Sequence, residues 1–313
     1  MKVVALAGGV GGAKLATGLA GIIPGDDLTI IVNTGDDFQH FGLNVCPDLD
    51  TVCYNLAGIE NPETGWGLRD ETWNTMRRIE NFGGPTWFRL GDNDLATHLE
   101  RTRRLSTGAA LSQVTREFCK TLGVKSHILP MSDDPVRTKV ITQKDGELYF
   151  QEYFVHRRCE PEVASFKFDG IENSRPAPGV LEAIGAADLI VICPSNPWVS
   201  IDPILAVPGI RRAIAEKSVL AVSPIIGGKT VKGPAAKMYS ELGISPSALA
   251  VARHYKDFIS GFVIDEVDRS LVDDFSAWSI ILLVTNTLMY TSEDRFRLAD
   301  EVLRFGSTLI RRQ

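Results

Sequence analysis

Residues 3–15 read VVALAGGVGGAKL, and the order of residue types in them decides the fold. An apolar run, 3–6, breaks into Gly8, Gly9, Gly11 and Gly12, after which Ala13, Lys14 and Leu15 open a helix-compatible stretch. Strand, glycine turn and helix in that order begin a nucleotide-binding α/β unit. Glycine carries no Cβ, so backbone N–H groups can close on a phosphate at the helix N-terminus. Two familiar forms of the motif are excluded. Alanine precedes Lys14, which breaks the G-x-x-x-x-G-K spacing, and Lys14 stands where G-x-G-x-x-G needs its third glycine. A plain glycine-rich turn is the alternative reading of the same residues.

Similar strand ends recur along the chain. Residues 28–32, LTIIV, read as a buried parallel strand ending in Asn33, Thr34, Gly35, Asp36 and Asp37. Residues 188–193, DLIVIC, lead into Pro194, Ser195, Asn196 and Pro197; residues 218–222, SVLAV, lead into Ser223, Pro224, Gly227 and Gly228. In an open parallel sheet these carboxyl ends share one edge, where such folds bind ligands. That favours a composite nucleotide and substrate cleft over isolated turns. Short strands are also expected at 262–264 and 280–284, and helices at 208–216 and 292–304. Residues 136–142 and 148–155 flank Lys144, Asp145 and Gly146 as a β-hairpin. The segment 129–135 is turn-rich, and 157–178 has no clear pattern. From 51 to 122, Trp66, Trp73, Met76, Phe82, Trp87, Leu95, Leu99 and Leu105 recur at loosely helical spacing. The expected fold is therefore α/β: one Rossmann-like, doubly wound, mostly parallel domain over 1–313, with a small helical insertion at 51–122.

Hydrophobic residues at 44% and charged residues at 23% fit an ordinary soluble globular chain. The net charge of −6 argues against a nucleic-acid partner, which needs a basic face. The cysteines, Cys46, Cys53, Cys119, Cys159 and Cys193, are odd in number and form no C-x-x-C, as suits a reducing compartment. No uncharged apolar run approaches the roughly 20 residues of a membrane span. The glycines and Lys14 make the N-terminus a poor secretion signal. A cytoplasmic protein without a membrane partner is expected.

The carboxylates carry the chemistry. Asp48 and Asp50, read as extended backbone, point to one side, and magnesium is typically held by one or two carboxylates plus substrate phosphates. Asp36 and Asp37 form a second candidate pair. Asp50 is equally suited to cap a helix starting at Thr51, and the two roles are compatible. His98, closing the string DNDLATH, is a candidate proton-transfer group or phosphate donor, with a structural histidine as the alternative. Asn196, between two prolines, sits in a stiff loop suited to reading a base or ribose. No Ser–His–Asp order and no zinc-ligand spacing stands out. A phosphate cradle, metal carboxylates and no evident covalent nucleophile point to phosphoryl-type transfer.

At these residues the chain resembles the 2-phospho-L-lactate transferases of coenzyme F-420 biosynthesis (CofD/FbiA type). The resemblance is carried by AGGVGGAKL (7–15), VNTGDD (32–37), CPDLDTV (46–52), WGLRDETW (66–73), LGDNDLATHL (90–99), LPMSDDPV (129–136), PSNP (194–197), VPGIR (207–211) and SPIIGG (223–228). It implies a Mg2+-dependent, typically homodimeric enzyme. Such an enzyme transfers phospholactate or phosphoenolpyruvate from a guanosine diphospho-linked donor to the terminal ribityl hydroxyl of the deazaflavin Fo, releasing GMP. By the same resemblance, Gly8, Gly9, Gly11, Gly12, Lys14, Asn33, Ser195, Asn196, Ser223 and Gly227 hold the nucleotide. Asp48 and Asp50 bind metal or orient the Fo hydroxyl, and Arg89, Asp92, Asp94, Thr97 and His98 line the Fo side. Asp50 and His98 are the catalytic candidates. The wording of WGLRDETW and VCPDLDT leans toward the enolpyruvyl donor. Two competitors are a non-catalytic nucleotide-sugar-binding regulator of the YvcK type and a nicotinamide oxidoreductase. The first is disfavoured by PDLDT and ATH. The second is disfavoured by the incomplete fingerprint and by Asn33, where an acidic ribose partner is expected.

Overall fold

A computed structural model describes residues 1–311. Seven strands form one fully parallel sheet: β1 (Val3–Ala7), β2 (Leu28–Val32), β3 (His127–Pro130), β4 (Leu189–Ile192), β5 (Val219–Val222), β6 (Gly261–Asp265) and β7 (Ile281–Thr285). Their order across the sheet is β3-β2-β1-β4-β5-β6-β7. The order reverses between β1 and β4, and that switch point is where doubly wound sheets open a crevice. β1 shows why the runs read as continuous apolar stretches. Val4 and Leu6 pack into one core, while Val3, Ala5 and Ala7 pack into the other, on the opposite face.

Between β2 and β3 the chain makes a hairpin of Phe38–His40 with Leu43–Val45, then helices α2 (Pro47–Ala57), α3 (Asn74–Asn81), α4 (Asp92–Ser106) and α5 (Leu111–Thr121). The helix after the glycine turn, α1 (Gly9–Ile22), packs against α2 and against the C-terminal helix Ser292–Ile310. That last helix starts in a Thr291/Asp294 capping box and runs six residues beyond the expected 304.

Three expectations need correcting. Asp48 and Asp50 are not in extended chain, because α2 begins at Pro47, which suits the first helical position. On a helix, residues two apart point about 200° away from each other, so the two carboxylates face different neighbours. Asp50 is likewise no cap: it lies inside the helix, its N–H donating to Cys46 O at 3.0 Å. The second arm of the 136–155 hairpin stops at Tyr149 and turns into a helical coil, Glu152–His156. Its strand Arg137–Thr142 pairs on its other side with Val163–Asp169, inside the segment that had no readable pattern. Strand β3 was not expected either, and its last two residues fall in the segment read as turn-rich.

Candidate active site

The carboxyl ends of β1, β2, β4 and β5 open onto a cleft of about 750 Å³, lined among others by Gly8, Gly9, Gly11, Lys14, Ser195, Asn196 and Ser223. Part of the glycine turn is spent on the protein itself. Gly8 N–H donates to Ser195 Oγ at 3.1 Å, and that hydroxyl donates back to Gly8 O at 2.8 Å. Gly9 N–H donates to Asp48 Oδ1 at 2.7 Å, so this carboxylate takes an anion position at the start of α1. Gly11 and Gly12 permit close approach. A Cβ at Gly11 would lie 2.3 Å from Pro194 O, and one at Gly12 would lie 2.5 Å from Ser195 Oγ. Gly12 therefore packs the β1 turn onto the β4 turn and does not line the cleft.

Two lysines bring positive charge to this end. Lys14 Nζ donates to Met289 O at 2.7 Å; burial, then the charges of Arg295 and Lys232, pull its pKa down. Lys232 follows the small hairpin of Ile225–Ile226 with Lys229–Thr230, lines the same cleft, and donates to Thr64 O at 2.6 Å. Lys232 escaped the sequence reading, although two lysines among the glycines of GGKTVKG were the available signal. Asn196 uses its carbonyl to cap Trp198 N at 3.1 Å, and Ser223 bonds Ile225, while both still border the cleft.

Two expected nucleotide ligands do not line the cleft and are bonded within the protein. Asn33 is fully buried, its Nδ2 donating to Asp36 Oδ1 (3.1 Å), Asp48 Oδ2 (2.9 Å) and Val199 O (3.1 Å). The N–H of Gly227 is held by both oxygens of Asp268 at 3.1 Å.

Asn33 joins two carboxylates that the sequence reading had assigned to different pairs. Asp36 and Asp48 both line the cleft and share that amide. Burial, then the charge of Asp48, pushes the Asp36 carboxyl well above the usual range. Burial pushes Asp48 up to about 6, against the pull of Asn33 and the Gly9 N–H. The partners of the pair are neutral amides, and none of them carries a positive charge. Asp37 does not join them. It lies outside the cleft, raised to about 7 by burial, with Arg137 pulling the other way.

At the other end, α2 and α4 face each other through a buried polar network. Asp94, Thr97, His98 and Arg101 recur at helical spacing on one face of α4. Arg101 grips Asp50 with both terminal nitrogens, one of them 3.0 Å from Oδ2. Its burial alone would lower its pKa, but Asp50, with Cys46 and Tyr54, outweighs that and drives it well above the usual value. Arg101 NH1 lies 3.2 Å from His98 Nδ1, and His98 Nε2 lies 3.4 Å from Asp94 Oδ2. Tyr54 OH reaches Asp94 Oδ1 at 2.7 Å and Thr97 Oγ1 at 2.8 Å. Asp94 is held below the usual range: burial raises its pKa, but His98 and Tyr54 outweigh it. One atom each of Asp50, Asp94 and His98 lies within 4.8 Å of the others. Asp50, Asp94, His98 and Arg89, whose guanidinium sits 4.2 Å over the Trp73 ring, all border the cleft.

Asp92 and Thr97 do not. Asp92 is half-buried and accepts from Thr72 Oγ1, Asn74 N and Thr75 N, capping α3. Glu71 returns the favour by accepting from Asn93 N and Asp94 N at the start of α4. Thr97 lines instead a second groove of about 300 Å³ between α2, α4 and α5, which Asp50, Tyr54 and Arg101 also border. An aromatic wall of Trp66, Trp87, Phe88, Phe150, Phe154 and Tyr290 completes the cleft. Most of it was invisible in sequence because four separate segments supply it.

A doubly wound sheet whose switch-point cleft joins a glycine turn, two lysines and paired carboxylates defines a Rossmann-like protein for phosphate-bearing small molecules. The family described as 2-phospho-L-lactate transferase CofD matches residues 3–277, and the chain belongs to that family; it is a transferase. Among its relatives, a phosphoenolpyruvate transferase of Streptomyces griseus is 49% identical, covering 90% of each chain. One of Kitasatospora aureofaciens is 46% identical, covering 97% of each. A solved structure of a UPF0052 family member from Bacillus halodurans shares the fold, with a TM-score of 0.63 and 16% identity over 96% of this chain and 98% of that one. No helix among the described residues is long and apolar enough to cross a membrane.

Proposed function

We propose that this transferase acts in coenzyme F-420 biosynthesis, taking a phospholactyl or phosphoenolpyruvyl group from a guanosine diphospho-linked three-carbon acid and placing it on the terminal ribityl hydroxyl of Fo. The hydroxyl oxygen bonds to the phosphorus beside the acid, the bond from that phosphorus to the GMP phosphate breaks, and the hydroxyl proton is released. The phosphoenolpyruvate transferases among the relatives favour the enolpyruvyl donor. One observation carries the reading: a single cleft has a lysine and glycine end, a carboxylate centre and an aromatic, His98-bearing end. Val10 and Gly11 in the first turn of α1, with Lys14 and Lys232, would hold the diphosphate, and Ser195, Asn196 and Ser223 the nucleoside. The aromatic wall would stack the deazaflavin, with Asp94 and His98 beside its ribityl chain.

Magnesium fits the donor set of Asp36 and Asp48 better than the set of Asp50, Asp94 and His98. The first is all oxygen, which a hard cation prefers, and lacks a cation of its own. In the second, Arg101 already neutralises Asp50. The ion, when bound, would neutralise charge on the transferring phosphate. The protein's own share is to hold the donor against the glycine turn and to exclude water with the aromatic wall. A homodimer is part of the proposal, with light scattering as its check.

The test is to mix the protein with Mg2+, Fo and the enolpyruvyl donor and follow GMP and the mass of the Fo product. Equal release of GMP and phosphorylated Fo is expected. Guanosine diphosphate binding with no turnover of either donor would overturn the proposal in favour of a non-catalytic nucleotide-binding protein.

A further inference from the structure

We infer that Arg101 is a positioning residue that fixes His98 as a hydrogen-bond donor to the acceptor substrate, and that His98 is not the base of the reaction. The inference rests on the placement of Fo proposed above. Arginine has only donors, so His98 Nδ1, at 3.2 Å from Arg101 NH1, must be the acceptor. A neutral imidazole then carries its proton on Nε2. A proton on Nδ1 would set two donors face to face. The nearest carboxylate oxygen on that side, Asp50 Oδ2, is 3.7 Å away and already engaged by Arg101.

Arg101 cannot easily yield. Both of its terminal nitrogens are committed to Asp50, and its guanidinium lies 5.9 Å over the Phe118 ring. The other face of the imidazole is different. His98 Nε2 is buried, and its nearest acceptor, Asp94 Oδ2, is 3.4 Å away and beyond a good hydrogen bond. Asp94 is itself held by Tyr54, and both Asp94 and His98 border the cleft. An oxygen of the acceptor substrate is what this N–H lacks. A base needs a free lone pair, and the one lone pair on neutral His98 is covered by Arg101. The titratable groups around the ring are Asp50 and Tyr54 from α2, Asp94 and Arg101 from α4, and His40 from the Phe38–His40 strand.

The test reads the tautomer first, without turnover. In the full-length protein labelled with 15N-histidine at pH 8, the His98 signals are those missing from His98→Gln. A pyridine-like Nδ1 and a pyrrole-like Nε2 are expected; protonation at Nδ1, alone or on both nitrogens, would overturn the inference. In the double variant Asp50→Asn/Arg101→Met, which leaves neither buried charge unpaired, the signals should move toward a tautomer mixture. An unchanged Nε2–H state there would show that Arg101 does not set it. Should that variant not fold, the wild-type spectrum still decides. Turnover then tests donation. Glutamine offers an oxygen to Arg101 and an N–H to the cleft, so His98→Gln should stay within about tenfold of wild type where His98→Ala loses roughly 10²-fold. Equal losses in both would overturn the donor role. Full activity in His98→Ala, with the expected wild-type spectrum, would refute the placement of Fo and leave the tautomer assignment standing.

Discussion

The two ends of the cleft are built by opposite means. At the glycine end the backbone does the work: strand ends, a glycine turn and the approach of Gly11 to Pro194 shape the site, and Lys14 and Lys232 reach in from its rim. At the His98 end the backbone is ordinary helix, and the site consists of buried charged side chains carried by α2 and α4. The first kind of site is sensitive to volume and the second to charge. Substitutions should separate them.

The largest effect is expected from Asp50→Asn. It leaves the buried guanidinium of Arg101 without its counter-ion, which typically costs about 3–5 kcal/mol, and chemical denaturation will measure it. Asp36→Asn keeps an oxygen for Asn33 but removes one of two repelling charges, so its stability should not fall at pH 8. Similar losses in both would erase the distinction between a paired and an uncompensated carboxylate.

Next in size is ligand stabilisation. Guanosine diphosphate at a hundredfold excess over its Kd should add about 2.7 kcal/mol to the unfolding free energy, and NAD nothing. A melting shift with NAD alone would break the assignment of the nucleotide end. At the glycine turn, Gly11→Ala forces a Cβ onto the Pro194 carbonyl and should cost about 1–3 kcal/mol as an overpacked contact. Gly9→Ala meets no atom within 4 Å and pays only for its φ of +62°, about 1–2 kcal/mol. Equal or reversed costs would show that the β1–β4 approach is looser than described.

The smallest effect links the ends through pH. Asp36 and Asp48 are raised in the folded state, so the folded protein holds protons that the unfolded chain releases above the ordinary carboxylate range. With EDTA present, stability should therefore fall as pH rises from about 4 through about 6, and go on falling through about 7, where Asp37 still holds its proton and Asp36 is raised as well. Mg2+ at tenfold over its Kd should restore about 1.4 kcal/mol at pH 8 and less at pH 5, where protons compete. Scanning calorimetry at both pH values checks it, and equal restoration would argue against a carboxylate-bound ion.

What could be read from the sequence divides along the same line. The strands of the central sheet were legible where they are buried on both faces, and so were their polar ends, because each is a local pattern. PDLD was misread as extended backbone because the helix signal is a single residue, Pro47 at the first position of α2. Strand Val163–Asp169 went unseen because it lies half-exposed and mixes Lys167 with Phe166 and Phe168. Arg101 was one arginine among several on a polar helix. Its meaning lies in Asp50, on another helix. The Asp36–Asp48 pair was hidden for the same reason, each carboxylate having a nearer neighbour in sequence that proved to face elsewhere.

The hydroxyl of Ser195 clasps Gly8 across 187 residues of chain. On a ribosome adding roughly 5–20 residues per second, the glycine turn waits about ten to forty seconds for that clasp. Until β4 arrives, β1 presents an open strand edge, the kind of surface on which chains aggregate. Chains ended just before residue 189 should therefore collect in the insoluble fraction, and chains that include β5 should escape it.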